Sequence, residues 1–460
     1  MERVAEDIPR TILDGYREKT PTSMAHQASA GRYMPGGDTR SATYFSPYPL
    51  FVEKGRGCLL YDADGNEYLD LLGNYTSLVH GHAPPAIVDA IREQALHGTV
   101  FGAPGAIQYR HAEHLCRRIP GMDKIRYCNS GTEATLFVLR AARARTGRDG
   151  IIKIDGGYHG GHDLAEVSNF PDVDADAPPK ALVHAGIPAS VLQDARVVHF
   201  NDLAAVTAIL KADADRIAAI IVEPVLGAGG VIPPQPGYLA GLRELADRFK
   251  VLLIFDEVIT LRLSSGGMQE ASGVTPDLTS LGKIIGGGLP AGAFGGQADI
   301  MAIFDPAHPR AITHSGTFNA ANLVTAAGLC AMKALDQPAI DRINHLGKRL
   351  KSGFENVFKD AGIRGQVSGI GSLNQIHWCD TPLLNARDAA RAMAAAGDLP
   401  GLLHLAMINR GIYSAKRGMF VTSTPMSEAE IGKVIEAFAG AVDMLMPYIA
   451  AKHPQLVVAG

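Results

Sequence analysis

The middle of the chain alternates two kinds of pattern. Short runs rich in β-branched residues, "GIIKID", "ARVVHF", "IAAIIVEP", "KVLLIFDEV", "LTSLGK" and "GAFGGQ", are apolar throughout. Such runs predict strands buried on both faces of a mostly parallel sheet. Between them, "SGTEATLFVLRAARARTG" and "PGYLAGLRELADRFK" repeat their apolar positions at helical spacing. Strands alternating with helices predict an open α/β sheet. The flanks read differently. "GCLLYDADGNEYLDLL" predicts a hairpin turning at Asp64-Gly65. Beyond about residue 335 come helices and short strands, and Ser427 with Glu430 predicts a capping box for the last helix. The pattern therefore divides into a large domain at 73–334 and a small α+β domain built from both ends, 1–72 and 335–460.

Composition narrows the class. With 460 residues, 47% hydrophobic and 20% charged, the chain has the make-up of a soluble globular protein of two domains. A net charge of -4 offers no basic footprint for nucleic acid or for a membrane surface. Five scattered cysteines without a CxxC pair argue for a reducing compartment, and the N-terminus shows no secretory h-region, so a cytoplasmic location is expected.

Open α/β sheets bind ligands outside the carboxyl ends of their strands, so the residues that follow each strand belong together. After "KIRYC" comes Ser130-Gly131-Thr132, opening a helix. Tyr158 and His159 follow "GIIKIDGG", Glu223 follows "IAAIIV", Asp256 ends "KVLLIF", and Lys283 ends "LTSLG". Ser-Gly-Thr is either a helix cap or an anion cradle, because the same free N–H groups serve both. Tyr158 reads equally as an ordinary half-buried aromatic, and Asp256 as a cap for the next segment. His159 and His162 have a metal-like spacing, but no cysteine or carboxylate at ligand spacing completes the set, so no metal is expected. A P-loop needs glycine where Asp277 stands, and "GAGGVIPP" runs into prolines where a dinucleotide motif would open a helix.

Together these parts ask for pyridoxal 5'-phosphate. A helix start seats the phosphate, Tyr158 stacks on a flat ring, a buried acid keeps the ring nitrogen protonated, and the lysine amine joins the aldehyde. Lysine is almost never fully buried without a partner; here the partner of Lys283 is the cofactor.

The chain also resembles a known family, the class III, fold-type I pyridoxal-phosphate aminotransferases. The resemblance runs through "YMPGG", "LLYDADGNEYLDLL", "GHAPPAIVDAI", "NSGTEA", "GGYHG", "IVEPV", "FDEV", "SLGKIIGGG" and "HSGTFNA". It implies Lys283 as the lysine that forms the Schiff base and Asp256 as the pyridinium partner. It implies Ser130, Gly131 and Thr132 as the phosphate seat, with Tyr158 on one face of the ring and Val258 on the other. Glu223 matches an acid near the site, and Thr317 a threonine that reaches the phosphate of the neighbouring subunit, which implies a homodimer with shared sites.

Two groups within the family are similar, the β-amino-acid (β-phenylalanine) transaminases and glutamate-1-semialdehyde 2,1-aminomutase. The aminomutases place an arginine where this chain has Thr43; here Arg40 comes earlier, and Arg417 stands in "YSAKRGMF". Both features resemble the transaminases. Arginine suits bidentate carboxylate recognition, so Arg40 and Arg417 are candidates for binding the amino donor and a keto-acid acceptor. They read equally as ordinary solvated arginines. The expectation is transfer from a β-amino acid to 2-oxoglutarate or pyruvate, with the aminomutase or a racemase on the same fold as alternatives.

Overall fold

A computed structural model describes residues 2–174 and 177–458. The chain divides into two units, Pro85–Asp341 with Leu383–Ala390, and Met1–Pro84 with Arg342–Pro382 and Arg391–Gly460. The second, terminal unit opens with the antiparallel strands β1 (Val52–Arg56), β2 (Leu59–Asp62) and β3 (Glu67–Asp70). The β2–β3 turn falls at the predicted Asp64-Gly65. Gly65 takes φ +83°, and the Asp62 carboxylate accepts the amides of Asp64 and Asn66. Asp-Gly serves here because glycine enters the left-handed region without a Cβ penalty.

All six apolar runs become strands of the central unit, as does "KIRYC". In chain order they are β4 (Lys124–Cys128), β5 (Gly150–Ile154), β6 (Ala195–Val198), β7 (Ile217–Val222), β8 (Leu252–Asp256), β9 (Leu278–Gly282) and β10 (Gly292–Gly296). They form one sheet in the order β4-β10-β9-β8-β7-β5-β6. Only β10 runs antiparallel to its neighbours; the ladders from β9 to β6 are parallel. β5, β7, β9 and β10 are buried along their whole length, which is why they carry no polar alternation. The register aligns the strand ends: Lys153 with Ile221, Val222 with Phe255, Asp256 with Ser280, and Gly292 with both Gly282 and Cys128. One edge of the sheet thus collects the carboxyl ends of six strands, all but β10.

The terminal unit is completed late in the chain. β11 (Gln366–Ile370), β12 (Leu373–His377) and β14 (Met419–Val421) form an antiparallel sheet, while β13 (Ile412–Tyr413) pairs in parallel with β3. The last helix, Glu428–Lys452, starts on the predicted capping box: the Glu430 carboxylate accepts the Ser427 amide, and Ser427 Oγ accepts the Ala429 amide at 3.2 Å. That helix is long and apolar enough to span a membrane by length and composition. Its apolar face is buried in the unit's own core, with Phe354, Phe358, Leu405 and Phe420.

Candidate active site

Glycines let the rim of the central sheet close up. Ser130 caps the helix Gly131–Thr146 by accepting the Glu133 amide at 3.1 Å. The first N–H groups of a helix lack intrahelical acceptors, so those of Gly131 and Thr132 are available to an anion. A Cβ on Gly131 would lie 3.2 Å from Val258, and one on Gly282 would lie 3.3 Å from the same side chain. The helix start, Val258 and the end of β9 therefore meet at one point. The loop after β5 joins them: Gly160, at φ +97°, sits against Thr132, and the Gly161 amide donates to Thr132 Oγ1 at 3.2 Å.

Asp256, at the end of β8, is 4% exposed. Its Oδ2 lies 2.8 Å from His159 Nδ1, and its Oδ1 accepts the Val258 amide at 3.2 Å. A carboxylate offers about four lone-pair sites, so Asp256 can accept one more proton donor. His159 is the residue that sequence reading missed in this role. Its spacing to His162 suggested only a metal pair. In the structure the two side chains have separate tasks: His162 caps the turn Asp163–Glu166, and His159 faces Asp256 with its Nε2 buried and without a hydrogen-bond partner among the described residues. Glu223, after β7, accepts the amides of Tyr158 (2.9 Å) and Gly227 (3.1 Å). Burial pushes its carboxyl pKa up, and His159 opposes the shift.

Lys153, buried within β5, is a second omission. Its Nζ donates to the Gly157 carbonyl at 2.5 Å and to Asn169 Oδ1 at 3.2 Å. It fixes both ends of the loop that carries Tyr158 and His159. Burial drops its pKa to about 8, against the pull of Glu223, Asp155 and Glu166. A lysine inside "GIIKID" was the available signal.

Lys283 is half-buried at the end of β9 and takes φ +50°. A non-glycine residue in that region costs about 1–2 kcal/mol, and such positions persist only where their surroundings enforce them. The glycines that follow supply the enforcement. A Cβ on Gly287 would lie 2.5 Å from the Ala327 carbonyl, so the turn after Lys283 packs directly on the backbone of the helix Asn322–Ala334. Tyr158 is 48% exposed beside this rim. Thr317 is exposed on a turn whose Asn319 accepts the Asn129 side-chain amide at 3.0 Å.

The two arginines belong to the terminal unit. Arg40 donates from Nη1 to Asn74 Oδ1 at 2.7 Å, and Arg417 Nη2 lies 3.1 Å from Met419 Sδ. Burial raises the pKa of the Tyr75 phenol, while the charges of Arg417 and then Arg40 lower it. Both cationic heads therefore act on one phenol.

The central rim suits pyridoxal phosphate on its own geometry. It has a helix start for the phosphate, a buried acid with spare acceptor capacity for a protonated ring nitrogen, a half-exposed aromatic and an amine. Comparison with known proteins agrees. The family model "Aminotransferase class-III" matches residues 41–415. The β-phenylalanine transaminase of Variovorax paradoxus is 38% identical over 447 residues, 96% of this chain and 98% of that protein. A glutamate-1-semialdehyde 2,1-aminomutase of Syntrophobacter fumaroxidans is 40% identical over 391 residues, 84% of this chain and 88% of that one. A solved transaminase with pyridoxal phosphate bound is 35% identical, with a TM-score of 0.86 over 93% of this chain and 98% of that one. Matched by the family model over most of its length and by relatives from end to end, the chain belongs to the class-III aminotransferases, fold-type I enzymes that work with pyridoxal phosphate.

Proposed function

We propose that this aminotransferase moves the amino group of a β-amino acid to 2-oxoglutarate or pyruvate, in two half-reactions that share one site. The observation that carries the reading is the pair of arginines in the terminal unit: Arg40, held by Asn74 Oδ1 at 2.7 Å, and Arg417, beside Met419, both near enough to Tyr75 for their charges to oppose the rise in its pKa. Two half-reactions bring two carboxylate substrates, and a fixed fork of N–H donors binds a carboxylate in two-point fashion. The near-complete match to a β-phenylalanine transaminase supports the same choice.

Pyridoxal phosphate, when bound, supplies an aldehyde for the amino group and a ring that accepts an electron pair. The chain's residues do the rest. The amides of Gly131 and Thr132, with the Ser130 hydroxyl, hold the phosphate, and Thr317 reaches the phosphate bound by the partner subunit of a homodimer. Tyr158 and Val258 enclose the ring between them. Asp256 holds the proton on the ring nitrogen, and His159 keeps that carboxylate oriented. Glu223 fixes the backbone at Tyr158. Lys283 would hold the cofactor through its amine and, once the substrate amine displaces it, would serve as the base that takes the proton from the amine-bearing carbon and as the acid that gives it up again.

The aminomutase remains a second reading because relatives of that name match at 40% identity. The two differ in their need for a keto acid. Purified protein given β-phenylalanine should form glutamate from 2-oxoglutarate or alanine from pyruvate, and should leave glutamate-1-semialdehyde unconverted when no keto acid is present. Conversion of the semialdehyde alone, with no exchange from any β-amino acid, would establish the aminomutase instead.

A further inference from the structure

A strained segment explains how Arg40 is held. Gly73, Asn74, Tyr75 and Thr76 all have positive φ, at +53°, +48°, +53° and +77°. Glycine, and to a lesser degree asparagine, enter this region readily; a tyrosine and a β-branched threonine do not. The turn is enforced from its base. Asp70 Oδ1 accepts the amides of Leu72 and Gly73, Asp70 Oδ2 lies 2.7 Å from His82 Nε2, and the Thr76 and Leu78 amides return to Leu72 and Gly73.

Both side chains presented by the turn grip one short segment. Asn74 accepts from Arg40, and the Tyr75 hydroxyl donates to the Ala42 carbonyl. Asp38 holds the same segment from its other side, accepting from the amides of Thr39 and Arg40 and from the Thr43 hydroxyl. Asp38 is thus occupied with local donors, although its charge still reaches the Arg40 guanidinium. Asn74 takes one of the five guanidinium N–H donors and contributes no charge. It orients the fork and leaves the cation for an anion from outside.

We infer that Asn74 is the positioning residue for Arg40, and that its neutrality sets the preference for a carboxylate on the amino donor. This rests on the proposed role of Arg40 as a carboxylate-binding residue. Asn74→Asp and Asn74→Gly both tolerate left-handed backbone, so neither needs the turn to rearrange. Asn74→Asp places an anion against Arg40 and should raise the inhibition constant of 3-phenylpropanoate, an unreactive carboxylate, by roughly ten- to a hundred-fold. KM for β-phenylalanine should rise in parallel while kcat changes far less, and 1-phenylethylamine, which lacks the carboxylate, should be affected much less than either. Asn74→Gly should show the same pattern more weakly. An unchanged inhibition constant in Asn74→Asp, or a loss confined to kcat, would overturn the assignment. Failure of the wild type to use β-amino acids would instead count against the donor reading, and the inhibition constant would still decide the role of Asn74.

Discussion

The rim of the central sheet and the arginine patch of the terminal unit are built on opposite plans. At the rim, Asp256, Glu223 and Lys153 are each almost fully buried; Asp256 and Glu223 find partners 97 and 65 residues away, and Lys153 ties down the loop that follows its own strand. At the patch, Arg40 and Asn74 are exposed, and the segment that carries Arg40 is held locally by Asp38 and from the turn after β3 by Asn74 and Tyr75. Under the proposed roles, the contrast separates two tasks. Chemistry common to every substrate needs groups whose protonation and orientation do not vary, and burial among fixed partners provides that. Choice of substrate needs charge that solvent or a ligand can reach, and a loop can change it without disturbing the sheet.

The largest break in this contrast should come from the rim. Lys283→Ala should cut turnover by roughly a hundred- to ten-thousand-fold. In the wild type, borohydride treatment followed by mass spectrometry should place the cofactor on this lysine. An adduct on another lysine would move the catalytic centre elsewhere.

Burial at the rim can also be read through pH. The Lys153 ammonium falls from 10.5 to about 8 in the folded protein. Below pH 8 both states carry the proton and the burial penalty is present in full. Between 8 and 10.5 only the unfolded chain keeps it, so this group's contribution to stability rises with pH, by on the order of 3 kcal/mol. Urea unfolding of the wild type measured against Lys153→Met should show their difference climbing across that window. A flat difference would mean that Lys153 does not titrate there.

Asp256→Asn should retain cofactor yet lose roughly 10- to 150-fold in kcat/KM, because a charge-assisted bond becomes a neutral one. Near-normal turnover would assign the ring nitrogen to a different acid. At the patch, Arg417→Ala should cost about 30-fold in kcat/KM with 2-oxoglutarate and far less with pyruvate, which has no second carboxylate. Equal losses with the two acceptors would remove Arg417 from that role.

Legibility in sequence follows the same division. The strands could be read from "IAAIIV" or "LTSLG" because double-sided burial leaves a continuous apolar run. Acids and lysines at the ends of such runs stand out because an unpaired charge there is costly. The hairpin and the capping box were readable because their chemistry is complete within four residues. The pairing of His159 with Asp256 spans 97 residues and depends on which strands become neighbours, which no local pattern records. The left-handed run at Gly73–Thr76 was hidden for another reason. Asparagine, tyrosine and threonine have no common preference for that backbone, so only the enclosing hydrogen bonds reveal it.

Pairing of β3 with β13 has a consequence for synthesis on the ribosome. Residues 85–341 leave as one continuous stretch holding all seven strands of the large sheet, whereas β3 ends at Asp70 and waits for Ile412. At 5–20 residues per second the delay is roughly 17–70 s. During it, one side of β3 presents unpaired N–H and C=O groups, the kind of exposed edge that recruits other strands. Chains stalled near residue 380 should therefore resist protease over 85–341 while remaining cleavable over 52–70, and the emerging N-terminal meander is where a chaperone would be needed most.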